Sequence, residues 1–321
     1  MACYHLRMKN VRVLADGLGF PEGPVALPDG DVLVVELQGR LSRVHPDGSK
    51  EVVAELGGSP NGCAIGPDGA AYICNSGGFC FTDLGAMLLP LGPHGVTQPD
   101  DYIGGRIQRV DLATGEWTDL YTECDGNPLR GPNDLVFDAA GGIWFTDHGK
   151  TRRRDRDLGG LYYCLPDGSS ITEAVYPMDA PNGVGLSPDG KTVYVAETPT
   201  GRVWSFAIGA PGELAGNAGF GPGGGQLLAG LPGHQLLDSL AVDAEGSVVV
   251  ATIISGGFSV IRTDGSVELL SLPPELFDPV PTNICFGGPD LRTAYLTSSA
   301  TGRLLVCDWP TAGTPLHFLN Q

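Results

Sequence analysis

Six oxygen-bearing side chains recur in this chain at one fixed offset. Glu22 (PEGPVALPDG), Asn61 (PNGCAIGPDG), Asn133 (PNDLVFDAAG), Asn182 (PNGVGLSPDG), Asp238 (LDSLAVDAEG) and Asn283 (TNICFGGPDL) each stand seven residues before the middle of a tight Pro-Asp-Gly-like turn. The gaps between copies run from 39 to 72 residues, so the offset belongs to a repeated unit of variable length. Carboxylates and amide carbonyls, without sulfur and without a required histidine, suit a hard cation such as Ca²⁺ or Mg²⁺. The carboxylates at 22 and 238 would balance a divalent charge. Asn and Asp also favour tight turns ahead of strands. Six copies in register, two of them acidic, point instead to ligands gathered on an axis.

The elements that must gather them are short strands. After each polar residue come four or five residues rich in Val, Ala, Ile and Leu, then the turn, then a β-prone run: DVLVVE, AAYICN, GIWFTD, KTVYVAE, SVVVAT and RTAYLTS. β-Branched and aromatic residues bounded by Gly, Pro and Asp read as strands. Further runs such as GRLSRVHPDGS and GGLYYCLPDGS complete about four strands per unit. Four-stranded units repeated around a centre predict a six-bladed β-propeller, all-β and one domain over 1–321. The last unit has only about three strands, so VRVLADG near the amino terminus should close its sheet. Two insertions interrupt the pattern: residues 77–104, which carry an apolar patch, and residues 209–234, which read as a Gly/Pro-rich linker.

In such a fold the first strand of each blade lines the central channel, and the polar residue sits at one mouth. Five to six residues at ~3.3 Å each carry the strand roughly 17–20 Å to the far face. The second strand returns, bringing Glu36, Asn75, Asp147, Glu197, Thr252 and Ser298, 14 or 15 residues on, back to the same mouth. Glu36, Asp147 and Glu197 would add a second, wider acidic ring.

Composition narrows the function. With 49 glycines, 26 prolines and 17% charged residues the chain is turn-rich and has ample apolar content for a core. A net charge of −18 argues against nucleic acid and favours cations. The absence of an apolar membrane span or signal-like run predicts a cytoplasmic protein with no membrane partner. The eight cysteines are scattered without a CxxC pair and read as small hydrophobes.

The quoted motifs resemble the gluconolactonase, regucalcin and luciferin-regenerating enzyme family, from PEGP at 21–24 to TNICFGGPDLRTAYLT at 282–297. RGPNDLVFDAAGGIWFTD and APNGVGLSPDGKTVYVAET are especially similar to the family's wording. The resemblance implies a six-bladed propeller holding one catalytic divalent ion, most often Ca²⁺, with Mg²⁺, Zn²⁺, Mn²⁺ or Fe²⁺ as alternatives. It implies that Glu22, Asn182 and Asp238 are metal ligands and that Asn133 touches metal or substrate. Arg130 resembles an arginine that holds substrate oxygens.

The activity so implied is hydrolysis of a small-molecule lactone by metal-activated water. Asp238 would be ligand and general base, with Asn133 and Asn61 donating to the ester. His148, beside Asp147, is a candidate substrate contact. No Gly-x-Ser-x-Gly elbow supports a serine nucleophile. The alternatives are a phosphotriesterase-type hydrolase, as in the related diisopropyl-fluorophosphatase propellers, and a non-catalytic calcium-binding or scaffold propeller. The run TRRRDRD at 151–157 is a solvated loop or a basic rim, and residues 77–104 are a lid or only packing.

Overall fold

A computed structural model describes residues 8–216 and 219–320. Among them, six antiparallel sheets of four or five strands succeed one another along the chain. We number them blades 1 to 6 by their innermost strands: Pro21–Ala26, Pro60–Ile65, Pro132–Phe137, Pro181–Leu186, Leu236–Val242 and Pro281–Gly287. Each innermost strand packs against that of the next blade, and blade 6 packs back onto blade 1. The result is the six-bladed propeller expected from the repeat. Blade 6 takes its outermost strand from Lys9–Ala15, antiparallel to Arg303–Asp308, so the amino-terminal strand closes the last blade.

Second strands such as Val32–Glu36, Ala71–Asn75 and Ile143–Asp147 are buried along their whole length. Neighbouring blades cover both of their faces, which removes the in–out alternation of a half-exposed strand. Apolar clusters fill the space between each pair of blades. Between blades 2 and 3, for example, Tyr72 and Cys74 meet Phe137 and Phe145. The seven described cysteines are free, and six of them are buried.

Residues 209–234 differ from the expected linker. Glu213–Leu214 pairs with the third strand of blade 4, Arg202–Ala210, and Gln226–Gly230 is that blade's fourth strand. The surrounding glycines masked a run, QLLAG, that had only to pair with an existing edge. Beyond Asp308 the chain crosses the far face of the ring. There Gly313 bridges Asp243, Thr314 N donates to Val242 O at 3.0 Å, and the Phe318 ring lies 5.7 Å from that of Phe137. Thr314, Leu316 and Leu319 help line a cavity of about 110 Å³ in the channel. Among the described residues no helix is long and apolar enough to cross a membrane.

The insertion at 77–104 stands on the mouth face, because the strands it joins pair Asn75 with Arg106 at its root. Its Phe81, Met87, Leu88 and Leu89 pack with Phe20, Leu37, Val280 and Ala300 of blades 1 and 6.

Candidate metal centre

In all six innermost strands the pairing with the second strand breaks at or beside the repeated polar position. Asn61, Asn133, Asn182 and Asp238 fall inside the break, while Glu22 and Asn283 flank it, paired with Val35 and Thr297. The breaks fall between Glu22 and Val25, Pro60 and Gly62, Pro132 and Leu135, Pro181 and Val184, Leu237 and Leu240, and Pro281 and Asn283. A bulge takes a residue out of the ladder and re-aims its side chain. All six polar residues are buried. The glycine that follows three of them is a packing requirement. A Cβ on Gly62 would stand 2.6 Å from Asn133 O, and one on Gly183 2.6 Å from Leu240 N. The PNG wording therefore records how closely adjacent inner strands approach.

The six side chains are not equivalent. Glu22 Oε2, Asn61 Oδ1 and Asn133 Oδ1 are buried oxygens without a hydrogen-bond partner among the described residues. Such oxygens are costly unless something else satisfies them. Asn182 is tied to blade 5: it bonds the Asp238 carboxylate, and its Oδ1 lies 3.4 Å from Ser239 Oγ. Its Nδ2 donates to Thr198 Oγ1 at 3.1 Å. Asn283 turns its oxygen onto its own following amide, accepting from Ile284 N at 2.7 Å, and so fills the ring without offering that oxygen.

Negative charge is concentrated at this site. Burial, and then the neighbouring Asp238 and Asp134 charges, hold the Glu22 carboxyl well above the usual range, with a bond from Thr282 opposing them. Burial pushes Asp238 up to about 7 against the bond from Asn182, and the Asp134 charge adds to the rise. Two carboxylates with amide oxygens match a hard-cation donor set. Among the described residues no three His, Cys, Asp or Glu side chains form a metal-binding group. Any such centre here depends on the asparagines.

Asp134 is the residue that the repeat pattern did not single out. At its position the other blades carry Gly23, Gly62, Gly183, Ser239 and Ile284. The one available signal was this lone carboxylate directly after a ring residue. Its oxygens accept from Leu135 N at 2.9 Å and Val184 N at 3.2 Å, and a further bond comes from Leu240 N. It thus ties blades 3, 4 and 5, and burial pushes it up to about 7.

The expected second acidic ring is corrected. The strand register does return these residues to the mouth, pairing Pro21 with Glu36, Pro132 with Asp147 and Pro181 with Glu197. Their oxygens, however, are committed to backbone amides and, in Glu36 and Glu197, to a side-chain hydroxyl as well. Asp147 accepts from Arg130 N and Gly131 N, both at 2.7 Å, and from Gly149 N at 2.9 Å. Glu197 accepts from Asp179 N at 2.9 Å, and Glu36 accepts from Gly19 N and Ser42 Oγ. Asn75 does the same for Ser59 N at 3.0 Å. Each holds the loop that enters the innermost strand of its own blade, two or three residues before the ring position.

On the mouth rim, Arg130 is exposed and accepts the Tyr102 hydroxyl on its backbone carbonyl at 2.6 Å. His148 donates its backbone amide to Gly131 O at 2.9 Å, and burial pushes its imidazole down to about 4. It is therefore neutral at pH 7. Arg152, in the basic run, pairs with Asp157 at 2.8 Å and with Asp155, so most of its charge is neutralised within the loop.

Residues 20–300 match the family model for an SMP-30/gluconolactonase/LRE-like region. The lactonase drp35 of Staphylococcus epidermidis is 27% identical over 242 residues, covering 74% of this chain and 64% of the relative. The Staphylococcus aureus protein of that name is 28% identical over 231 residues, covering 71% and 61%. The chain therefore spans less than two thirds of those relatives' length. Among solved structures, a gluconolactonase from Xanthomonas campestris superposes with a TM-score of 0.71 at 22% identity, over 96% of this chain and 93% of the other. Regucalcin from Agrobacterium tumefaciens, described as a calcium-binding protein, gives 0.70 at 20% identity, over 95% of each. With fold, repeat and family model in agreement, the chain belongs to the SMP-30/gluconolactonase/LRE-like family.

Proposed function

We propose that the chain is a metal-dependent hydrolase that opens the ester ring of a small-molecule lactone, with the ion held by Glu22, Asn133, Asn182 and Asp238. The observation that carries this reading is the pair of buried, unpartnered oxygens on Glu22 and Asn133, with that of Asn61 beside them, next to the Asp238 carboxylate, whose charge raises the affinity of Glu22 for protons. A hard divalent cation satisfies such a set, Ca²⁺ foremost, with Mg²⁺, Zn²⁺, Mn²⁺ or Fe²⁺ as alternatives. The names of the drp35 and gluconolactonase relatives support lactones as the substrate class.

When bound, the ion supplies Lewis-acid polarisation of the carbonyl and a more acidic water. Asp238 takes the proton from the attacking water as its oxygen bonds to the carbonyl carbon. It then returns that proton to the ring oxygen as the ester C–O bond breaks, leaving a hydroxy acid. With the ion in place, the proton affinity of Asp238 during both transfers is set by the ion rather than by burial alone. The amides of Asn133 and Asn61 orient the ester. Neutral His148 offers a hydrogen bond without a charge, and Arg130 draws oxygen-rich substrates to the rim.

The test is acid release from a panel of lactones, with and without chelator, by the wild type and by Glu22→Gln and Asp238→Asn. The expected result is chelator-sensitive turnover, lowered by about 10²-fold or more in both variants. Chelator-resistant turnover, or full activity in both variants, would sink the metal mechanism. Tight Ca²⁺ binding without turnover on any lactone would favour a calcium-binding role.

A further inference from the structure

The mouth face carries a buried lysine that the proposed chemistry does not use. The Lys150 side chain is among the largest fully buried in the molecule, yet no carboxylate lies within ion-pair distance of it among the described residues. Its Nζ donates to Gly78 O at 2.6 Å and to Ser76 Oγ at 3.1 Å, and stands 3.8 Å from the centre of the Phe79 ring. Gly78 and Phe79 belong to the 77–104 insertion, so it is this segment that covers the amine.

The insertion reaches across the face. Leu88 N donates to Ala300 O of blade 6 at 2.8 Å, while Thr97 N donates to Thr151 O at 2.9 Å on the loop after the second strand of blade 3. Blades 6 and 3 are opposite each other in a ring of six, so the run from 88 to 97 spans the mouth face. Both roots are glycine pairs, Gly77–Gly78 and Gly104–Gly105, with φ of 79°, 139° and 88° at the first three. Few other residues adopt such backbone angles, and small residues of this kind absorb hinge motion.

We propose that residues 77–104 are a lid hinged on these glycines, and that Lys150 is the positioning residue whose proton governs closure: shutting buries the amine, and opening returns it to water with a proton. The ionisable groups facing it are Asp147 at the end of its own blade's strand, Asp157 on the following loop, Cys80 on the lid and His148 beside it. Tyr102 of the lid also faces it, with its ring centre 5.8 Å away. Burial pushes the amine down to about 7 against the attraction of Asp147, Cys80 and Asp157. An open lid restores the ordinary lysine value near 10.4. The closed state therefore holds fewer protons between those values, and closure strengthens as pH rises through that window, by roughly tenfold per unit at most. The inference does not depend on which substrate enters.

Hydrogen exchange of 77–104, corrected for intrinsic rates, tests it from pH 6 to 9 in the wild type, Lys150→Met and Lys150→Arg. The lid's opening constant should fall above pH 7 in the wild type, while blade strands such as 192–197 stay protected throughout. Lys150→Met should be closed and pH-independent; Lys150→Arg, which cannot shed its charge, should be open and pH-independent. A flat wild-type profile, pH dependence that persists in Lys150→Met, or exchange of 77–104 only together with the blades overturns the proposal. If a variant fails to fold, amine acylation of the wild type decides. Exposed Lys191 should react faster with each pH unit, whereas Lys150 should react at a nearly constant rate, because rarer opening offsets the larger neutral fraction. Acylation of Lys150 rising in parallel with Lys191, or absent, overturns it.

Discussion

Glu22, Asp238 and Asp134 crowd three carboxyl groups into one buried region, and each holds its proton more tightly than it would in water. Their folded-state values lie above the unfolded ones. The folded chain therefore binds more protons between about 4 and 7, and these groups remove stability as pH rises through that window. A bound cation takes the protons' place, so its stabilising effect should grow over the same window. Melting temperatures from pH 5 to 8, with chelator and with Ca²⁺, should diverge as pH rises; a constant gap would show that the ion binds elsewhere. Asp147 acts differently, by accepting the backbone amides of Arg130 and Gly131 ahead of Asn133, and that of Gly149 on its own following loop. Asp147→Ala should cost about 1–3 kcal/mol in chemical denaturation and lower hydrolysis by displacing Asn133; unchanged stability would remove its anchoring role. The ring residues were legible because a fixed distance to a turn survives in any alignment of the repeats. The roles of Asp147, Glu36 and Glu197 were not, because a carboxylate that caps a loop and one that faces an ion have the same letter and spacing. Only the position of the amides at 130–131, 19 and 179 separates the two.

At the scale of elements, the inner strands do two jobs that conflict. They must approach closely enough to close a ring, and they must turn a polar side chain out of the ladder at the mouth. The bulge performs the second in blades 2 to 5, and glycine at 62 and 183 permits the first. Gly183→Ala should destabilise by about 1–3 kcal/mol through the backbone of blade 5, seen as a lower urea midpoint at unchanged slope. Gly190→Ala, where a Cβ meets nothing within 4 Å, should cost only the strain of its φ of 67°. Equal losses in the two would show that inter-strand approach is not what selects glycine at 183. The strands themselves were legible from their β-branched runs. The bulges were not, since Pro-Asn-Gly is compatible with a plain turn. The strand at 226–230 was hidden for a related reason: its pairing depends on an edge supplied by Arg202–Ala210, not on its own composition.

For the whole molecule, closure is the main constraint. Six blades each bury both faces only if the first meets the last, and that junction rests on Lys9–Ala15 joining Arg303–Asp308. Removing residues 1–15 should expose the edge of blade 6 and convert a sharp thermal transition into a broad one, with association in size-exclusion chromatography. Adding a peptide of residues 8–16 in trans should restore a compact monomer-sized species; an unaltered truncated protein would refute the role given to that strand. The closing strand was foreseeable because the last repeat lacked one. The tail across the far face, from Gly313 to Phe318, was not, since it obeys no repeat. The same junction has a consequence in time. Asn10 and its partner Asp308 are 298 residues apart, so during synthesis the first strand leaves the ribosome long before its neighbour exists. Blades 1 to 5 can be complete while the circle is still open. A ribosome stalled after blade 5 ends at Ser271 but before Arg303 should therefore hold a nearly finished chain with an orphan strand at its head, and such a chain should be the form that chaperones and proteases recognise.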